Sequence, residues 1–365
     1  MNQDPFKEYR HESEPRKKER YQAWRAAIGL QAVDGLEASS YLLDTAKRHI
    51  DGEIGIEEVK NLLASYYEEN PTGEKERTKE ADIVSARIEE ILNEKSFSFT
   101  PTQYLAIHKR LFHGILPHAG EFREYNITKK EWVLNGASVT YGNAYLLRDN
   151  LDYDLAAEKQ FSYKNLSMTE IIHHLAQFVA RLWQNHIFGE GNTRATAVFF
   201  IQYLRTLGFQ TDNEPFADHS WYFRNALVRA NYNDLQHNVH ETTEYLERFL
   251  RNLLMGEKNE LHNRSMHISG QWKEIQIEDH SDTIFPYDSV LKENKISAKT
   301  AGHIQALFET FGYERIFGRS NVMEVLGLTA TPASTLIRKM TDAGIVIPVS
   351  GSGKGKIRFN PEKNG

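Results

Sequence analysis

The stretch His186-Ile187-Phe188-Gly189-Glu190-Gly191-Asn192-Thr193-Arg194 decides how this chain is read. Just before it, Ile171, Ile172, Leu175, Phe178, Val179 and Leu182 recur at the three-and-four spacing of a buried helix face over Met168 to Trp183. Just after it, Ala195 to Leu204 reads as a second, almost wholly apolar helix. The polar string is therefore expected in a short bend feeding a helix N-terminus, where free N–H groups and the helix dipole favour an anion. Gly191 would let the backbone approach a phosphate, Asn192 could donate its amide, and Arg194 offers a charged fork. Glu190 is a hard oxygen ligand suited to magnesium carried by a nucleotide. His186 titrates near neutrality and can take a proton from an attacking hydroxyl, while Phe188 pins the bend to the core. The bland alternative is a polar helix-connecting turn with a capping Asn and a surface Arg.

The string resembles the signature of the Fic (filamentation induced by cAMP) family, His-x-Phe-x-Asp/Glu-Gly-Asn-Gly-Arg-x-x-Arg. The resemblance extends over about residues 100 to 255, through His108-Lys109-Arg110-Leu111-Phe112 and Ala119-Gly120-Glu121-Phe122-Arg123. It implies a mainly α protein: a Fic-type helical core with a β-hairpin flap, transferring AMP from ATP, with Mg2+, to a hydroxyl side chain of a target protein. Carried over by position, His186 is the base and Glu190 the magnesium ligand. Gly189, Gly191, Asn192, Thr193 and Arg194 would bind the nucleotide. Thr193 stands where the family has glycine, and Ala197 where it has its last arginine. One nucleotide must touch the imidazole, Gly191 and Arg194 together; a ring that is buried, turned away or too distant for this would defeat the enzymatic reading.

Asn135-Gly136 lies between β-prone runs, a strong hairpin signal over Glu131 to Tyr141. In the family such a flap pairs with the target main chain, which makes Val139 and Tyr141 the expected target-binding positions. Arg123 reads equally well as a structural ion-pair residue. Tyr222, Asn225 and Tyr232 lie where related proteins build an adenine pocket, though aromatics at helical spacing also suit a core.

With 365 residues there is room for two or three modules. A net charge of −6 and a pI near 6.2 argue against global attraction to nucleic acid or anionic membrane. Absence of cysteine excludes disulfides, thiolate nucleophiles and zinc–thiolate sites. No apolar run approaches the ~20 residues needed to span a bilayer, and no signal peptide is visible, so a cytoplasmic protein without membrane partners is expected.

Four segments are expected. Residues 1–75 would be N-terminal helices, loose through Glu19, then helical over Tyr21–Leu36, Tyr41–Ile50 and Ile56–Tyr67. They resemble the antitoxin-type module of Fic proteins, whose inhibitory helix carries a glutamate. Asp34 (before Gly35) or Glu69 (in Ser65-Tyr66-Tyr67-Glu68-Glu69-Asn70) would be the counterpart, unless both are ordinary solvated helix charges. Because Ala197 removes the usual arginine partner, only weak autoinhibition is expected. After a charged linker (Glu74–Lys79), residues 80–256 would form the catalytic body and 257–295 a polar linker. Residues 296–365 read as helix, two short helices and a hairpin around Ser350-Gly351-Ser352-Gly353, which looks like a winged helix. Arg338, Lys339, Lys354, Lys356 and Arg358 would give it a basic face for DNA phosphates, although such modules also dock proteins or form homodimers. Two functions therefore stand: an adenylyltransferase, or a Fic scaffold acting as a nucleotide-sensing or DNA- or protein-binding regulator through its winged helix. An intact His186 favours the first, and Gly191 favours AMP over γ-phosphate transfer.

Overall fold

The central helix of the chain is α8 (Asn192–Thr206), every residue of which from Asn192 to Leu204 is buried. The computed structural model describes residues 4–70, 76–209, 214–268, 283–313, 315–349 and 355–363. Around α8 the structure is mainly helical. The N-terminal elements are α1 (Pro15–Gly29), α2 (Ser40–Asp51), α3 (Ile56–Glu69) and α4 (Glu76–Asn93). Then come α5 (Pro101–Phe112), β1 (Ile127–Thr128), α6 (Leu147–Gln160) and α7 (Met168–Gln184). Beyond α8 follow α9 (Glu214–Ala230), α10 (Glu244–Met255), β2 (Thr283–Ile284) and α11 (Asp288–Glu293). The chain continues through α12 (Ala298–Phe311), α13 (Arg319–Leu326), α14 (Ala330–Asp342), β3 (Val346–Pro348) and β4 (Ile357–Phe359).

Local chemistry accounts for the helices beside the bend. Ser167 caps α7, accepting from the Glu170 N–H while the Glu170 carboxylate accepts from the Ser167 N–H. The apolar stripe then buries Ile172, Leu175, Phe178, Val179 and Leu182. Thr100 caps α5, with Pro101 in its first turn. Leu111 and Phe112 from α5 join α7 and α8 in the largest core.

Three apolar cores redraw the expected boundaries. α1 belongs to two of them: Tyr21 and Trp24 pack with α2 and α3, whereas Ala23, Ala26, Ala27 and Leu30 enter the core around α8. Its last residue, Gly29, lies so close to α9 that an added Cβ would sit 2.3 Å from the Ala217 carbonyl oxygen. The N-terminal helices are thus partly built into the core around α8 rather than forming a separate unit that ends at residue 75. The stretch before Glu19 is also ordered in part, since Glu14 caps α1 and Phe6 is fully buried. The expected charged linker is helical from Glu76 onward; Pro71-Thr72-Gly73 and Glu74 lie outside the described residues. Likewise, part of 257–295 is not linker. Met266 enters the main core, while Phe285, Tyr287, Val290 and Leu291 begin the third core, shared with α12, α14, β3 and β4.

In that C-terminal unit β3 and β4 pair antiparallel, Val346 opposite Phe359 and Pro348 opposite Ile357. The Ser350–Gly353 turn and Lys354 lie outside the described residues. The other expected hairpin takes a different form. Asn135 and Gly136 do make a tight turn at positive φ, closed by the Gly136 N–H on the Glu131 carbonyl. Its flanks do not form a ladder: Trp132–Leu134 is a 3-10 turn, and β1 pairs instead with β2, Ile127 opposite Ile284. Val139 and Tyr141 are buried rather than displayed as an edge. The apolar residues that made the segment look strand-like are core residues.

Candidate functional site

Asn192 shapes the bend between α7 and α8. Its carbonyl oxygen accepts from the Phe188 N–H at 3.0 Å and its amide donates to the Phe188 carbonyl at 2.8 Å, so the side chain is spent on the loop's own backbone. Gly191 is required for two reasons. Its φ is +72°, and a Cβ there would lie 2.5 Å from the Phe112 ring. Its bare face therefore meets an aromatic ring rather than open space. Thr193, in the place of the family's glycine, accepts from Trp183 Nε1 at 3.0 Å and ties the first turn of α8 to the end of α7.

Two residues buttress the bend, and the motif alone does not reveal their roles. His108 stacks on Phe188, with ring centroids 3.6 Å apart. Its Nδ1 accepts from the Gly120 N–H at 2.9 Å, so the proton belongs on Nε2, which faces the Glu190 carbonyl at 2.9 Å. Burial pushes this imidazole down to about 3, keeping it neutral. Arg123 is a backbone staple: Nε donates to the His186 carbonyl at 2.6 Å, Nη1 to Tyr125 and Nη2 to Gly142. Its structural role was legible as one alternative from sequence; its partners were not.

His186 adopts φ +46° and is 4% exposed. Its ring lies 4.5 Å from that of Tyr141 and edge-on to Trp183 at 5.3 Å. Tyr141 is held in turn by its hydroxyl, which donates to Glu131 at 2.9 Å. Arg224 forks onto the same carboxylate at 2.7 and 3.1 Å. Burial alone would raise the Glu131 carboxyl, but Arg224 and Lys129 beside it hold it below the usual range.

Arg194 is 2% exposed. Its Nε lies 2.7 Å from Asp34 and its Nη2 2.7 Å from Glu80, while Nη1 donates to Gln31 at 3.0 Å. The guanidinium also covers the Phe112 ring, 4.7 Å from the centroid. A carboxylate–arginine pair thus reaches the motif through Arg194, although Ala197 stands at the position where the pairing arginine was expected. Glu69 ends α3 exposed, and none of its contacts among the described residues reaches the bend.

Beside the bend lies a cleft of about 490 Å³, lined by His108, Arg123, Tyr125, Gly189, Glu190 and Lys292 among others. Glu190 is exposed there. His186 and Arg194 do not line it. The expected arrangement, one nucleotide touching ring, glycine and arginine, is therefore not the described conformation. Tyr141 covers the ring, Phe112 covers the glycine, and carboxylates engage the arginine. Tyr222 and Asn225 are core residues, Asn225 donating to Asn263 at 2.9 Å.

Residues 98–204 match the model of the Fic/DOC family. The chain has no match among curated proteins. Among solved structures it is similar to a Fic family protein from Desulfovibrio desulfuricans G20, at 14% identity and a TM-score of 0.42, over 98% of this chain and 93% of that one. It is also similar to the N-terminal FIC domain of Bep8 protein, a VirB-translocated effector from Bartonella sp. 1-1C, at 17% identity and a TM-score of 0.40. That match spans 50% of this chain and 86% of the other. No described helix is long and apolar enough to cross a membrane.

Proposed function

We propose that this protein transfers AMP from ATP to a hydroxyl side chain of a target protein, and that the described conformation is its closed state. One observation carries the reading. A buried guanidinium in the first turn of α8 is neutralised by Asp34 and Glu80, carboxylates from outside the bend. Such a cation is what the outer phosphates of a nucleotide would need, and the carboxylates occupy it by the same electrostatics. In the reaction the target hydroxyl oxygen forms a bond to the α-phosphorus while the bond to the bridging oxygen breaks and pyrophosphate leaves. The hydroxyl proton passes to the His186 imidazole, which requires Tyr141 to move off the ring. No cluster of three His, Cys, Asp or Glu able to hold a metal ion occurs among the described residues. The exposed Glu190 carboxylate is a hard oxygen ligand suited to a divalent cation that arrives with phosphates and neutralises their charge.

The test is incubation with α-labelled ATP and magnesium, read by label transfer and by the mass of one AMP added to protein. Wild type or the Asp34→Asn variant should label itself or an added protein, and His186→Ala should not. Equal labelling by His186→Ala removes the assigned base; no labelling by any form removes the adenylyl-transfer reading.

A second reading has its own observation. Arg338, Lys339 and Arg358 are exposed on α14 and β4. We read the C-terminal helices and hairpin as a winged helix that could contact DNA phosphates or dock a protein, leaving the core as a sensor. Salt-dependent binding of duplex DNA that is lost in a charge-reversed α14 would favour it.

A further inference from the structure

We propose that the C-terminal unit completes the cleft beside the bend as a phosphate-binding site, with Lys292 of α11 as the cation that receives the phosphates. The inference rests on the adenylyl-transfer reading only for the identity of the phosphate compound as ATP. Lys292 lines the cleft together with Gly189 and Glu190 of the bend, although it belongs to the C-terminal unit. Packing fixes its place. Val290 and Leu291, the two residues before it, are buried in the C-terminal core with Phe285 and Tyr287, whereas Lys292 is exposed. That core is pinned in turn to the one around α8. β2 pairs with β1, and the Phe285 N–H donates to the Asn126 carbonyl at 2.6 Å. Gln305 of α12, 2% exposed, donates to the Ile127 carbonyl at 2.9 Å. Tyr125, the neighbour of Asn126, lines the cleft itself, so these bonds bring α11 to the cleft rim.

Charge indicates what the lysine does there. Glu121, Glu124 and Glu190 line the same cleft, and three carboxylates repel a phosphate chain. The other basic residues of the cleft offset them poorly. Arg123 is 4% exposed and donates to the His186, Tyr125 and Gly142 carbonyls. His108 is buried against Phe188 and kept neutral, and His118 faces Glu121 at 3.3 Å. Arg194 lies outside the cleft and is held by Asp34 and Glu80. Lys292 is therefore the charge that decides whether an anion is admitted, together with the divalent cation suited to Glu190. Its compact ammonium on a flexible stem can follow phosphate oxygens as a point charge. Phosphate binding then requires the C-terminal unit in its docked place, since that unit supplies one of the charges of the site.

The experiment titrates the full chain with magnesium tripolyphosphate, a probe without base or ribose, by calorimetry. Lys292 is exposed, so Lys292→Met removes the charge without disturbing a core. That variant should bind the probe at least ~10-fold more weakly than wild type, while Lys292→Arg should stay within ~3-fold of it. Lys299→Met, which removes an exposed charge on α12 outside the cleft, should bind as wild type does. Equal binding by wild type and Lys292→Met, an equal loss in Lys299→Met, or no binding by wild type overturns the proposal. Labelling by α-labelled ATP separates this result from the adenylyl-transfer reading. Where transfer occurs, Lys292→Met should raise the KM for ATP at least ~10-fold with a smaller change in kcat. An unchanged KM overturns the proposal and leaves the transfer reading intact. Probe binding that depends on Lys292, without labelling by any form, supports the phosphate site and removes the transfer reading.

Discussion

Replacing Glu131 with alanine should be strongly destabilising. The carboxylate is fully buried, and Arg224, also buried, forks onto it at 2.7 and 3.1 Å. At an effective dielectric of ~20, unit charges ~3 Å apart attract by roughly 5–6 kcal/mol. Alanine forfeits this attraction and leaves Arg224 charged in a desolvated place, for a net loss of ~3–5 kcal/mol. Tyr141 also loses its acceptor, which loosens the ring lying over His186. Urea unfolding followed by tryptophan fluorescence measures the loss, with Trp183 5.7 Å from Tyr141 as a local reporter. A Glu131→Leu/Arg224→Met double variant should recover most of it, because no lone charge remains. The pH dependence has a definite sign. The folded carboxyl lies below its unfolded value, so the pair's contribution is present above the unfolded pKa of ~4.3 and disappears as pH falls through the folded value. If Glu131→Ala lies within ~1 kcal/mol of wild type at pH 7, the buried-pair reasoning is wrong.

Asp34→Asn should raise AMP labelling by up to ~10-fold, because the carboxylate competing for Arg194 loses its charge; unchanged labelling shows that Asp34 does not restrain the site. Gly191→Ala must combine a side chain at φ +72° with a clash on Phe112, a cost of ~2–5 kcal/mol that thermal unfolding will register and Phe112→Leu should partly relieve. Burial pushes the Glu89 carboxyl up to about 8, so the folded state holds a proton that the unfolded state has released, and stability falls as pH rises from the unfolded value toward that pKa. Glu89→Gln should therefore gain stability over wild type steadily from pH 5 to ~9 in denaturant titrations, and a constant difference would contradict the burial cost.

Much of the architecture could be read from short-range signals. The apolar stripe of α7 and the run from Ala195 marked two helices and the bend between them. Periodicity misled at Glu131–Tyr141, where Val139 and Tyr141 alternate as in a strand but are core residues beside an Asn-Gly turn. Polarity misled at 257–295, where the few apolar residues Phe285, Tyr287, Val290 and Leu291 suffice to open a separate core.

From sequence alone came the identity and order of the bend's polar groups, because the nine-residue bend is local and the helices on either side carry their own apolar patterns. The tertiary structure decided what each group faces. Asp34 and Glu80 meet Arg194, 160 and 114 residues away in the chain, and Thr283 meets Thr128. Such pairings depend on how helices from distant segments pack, a long-range outcome for which no single segment carries a code. That is why a motif with open-site chemistry is found here with its imidazole, glycine and arginine each already covered.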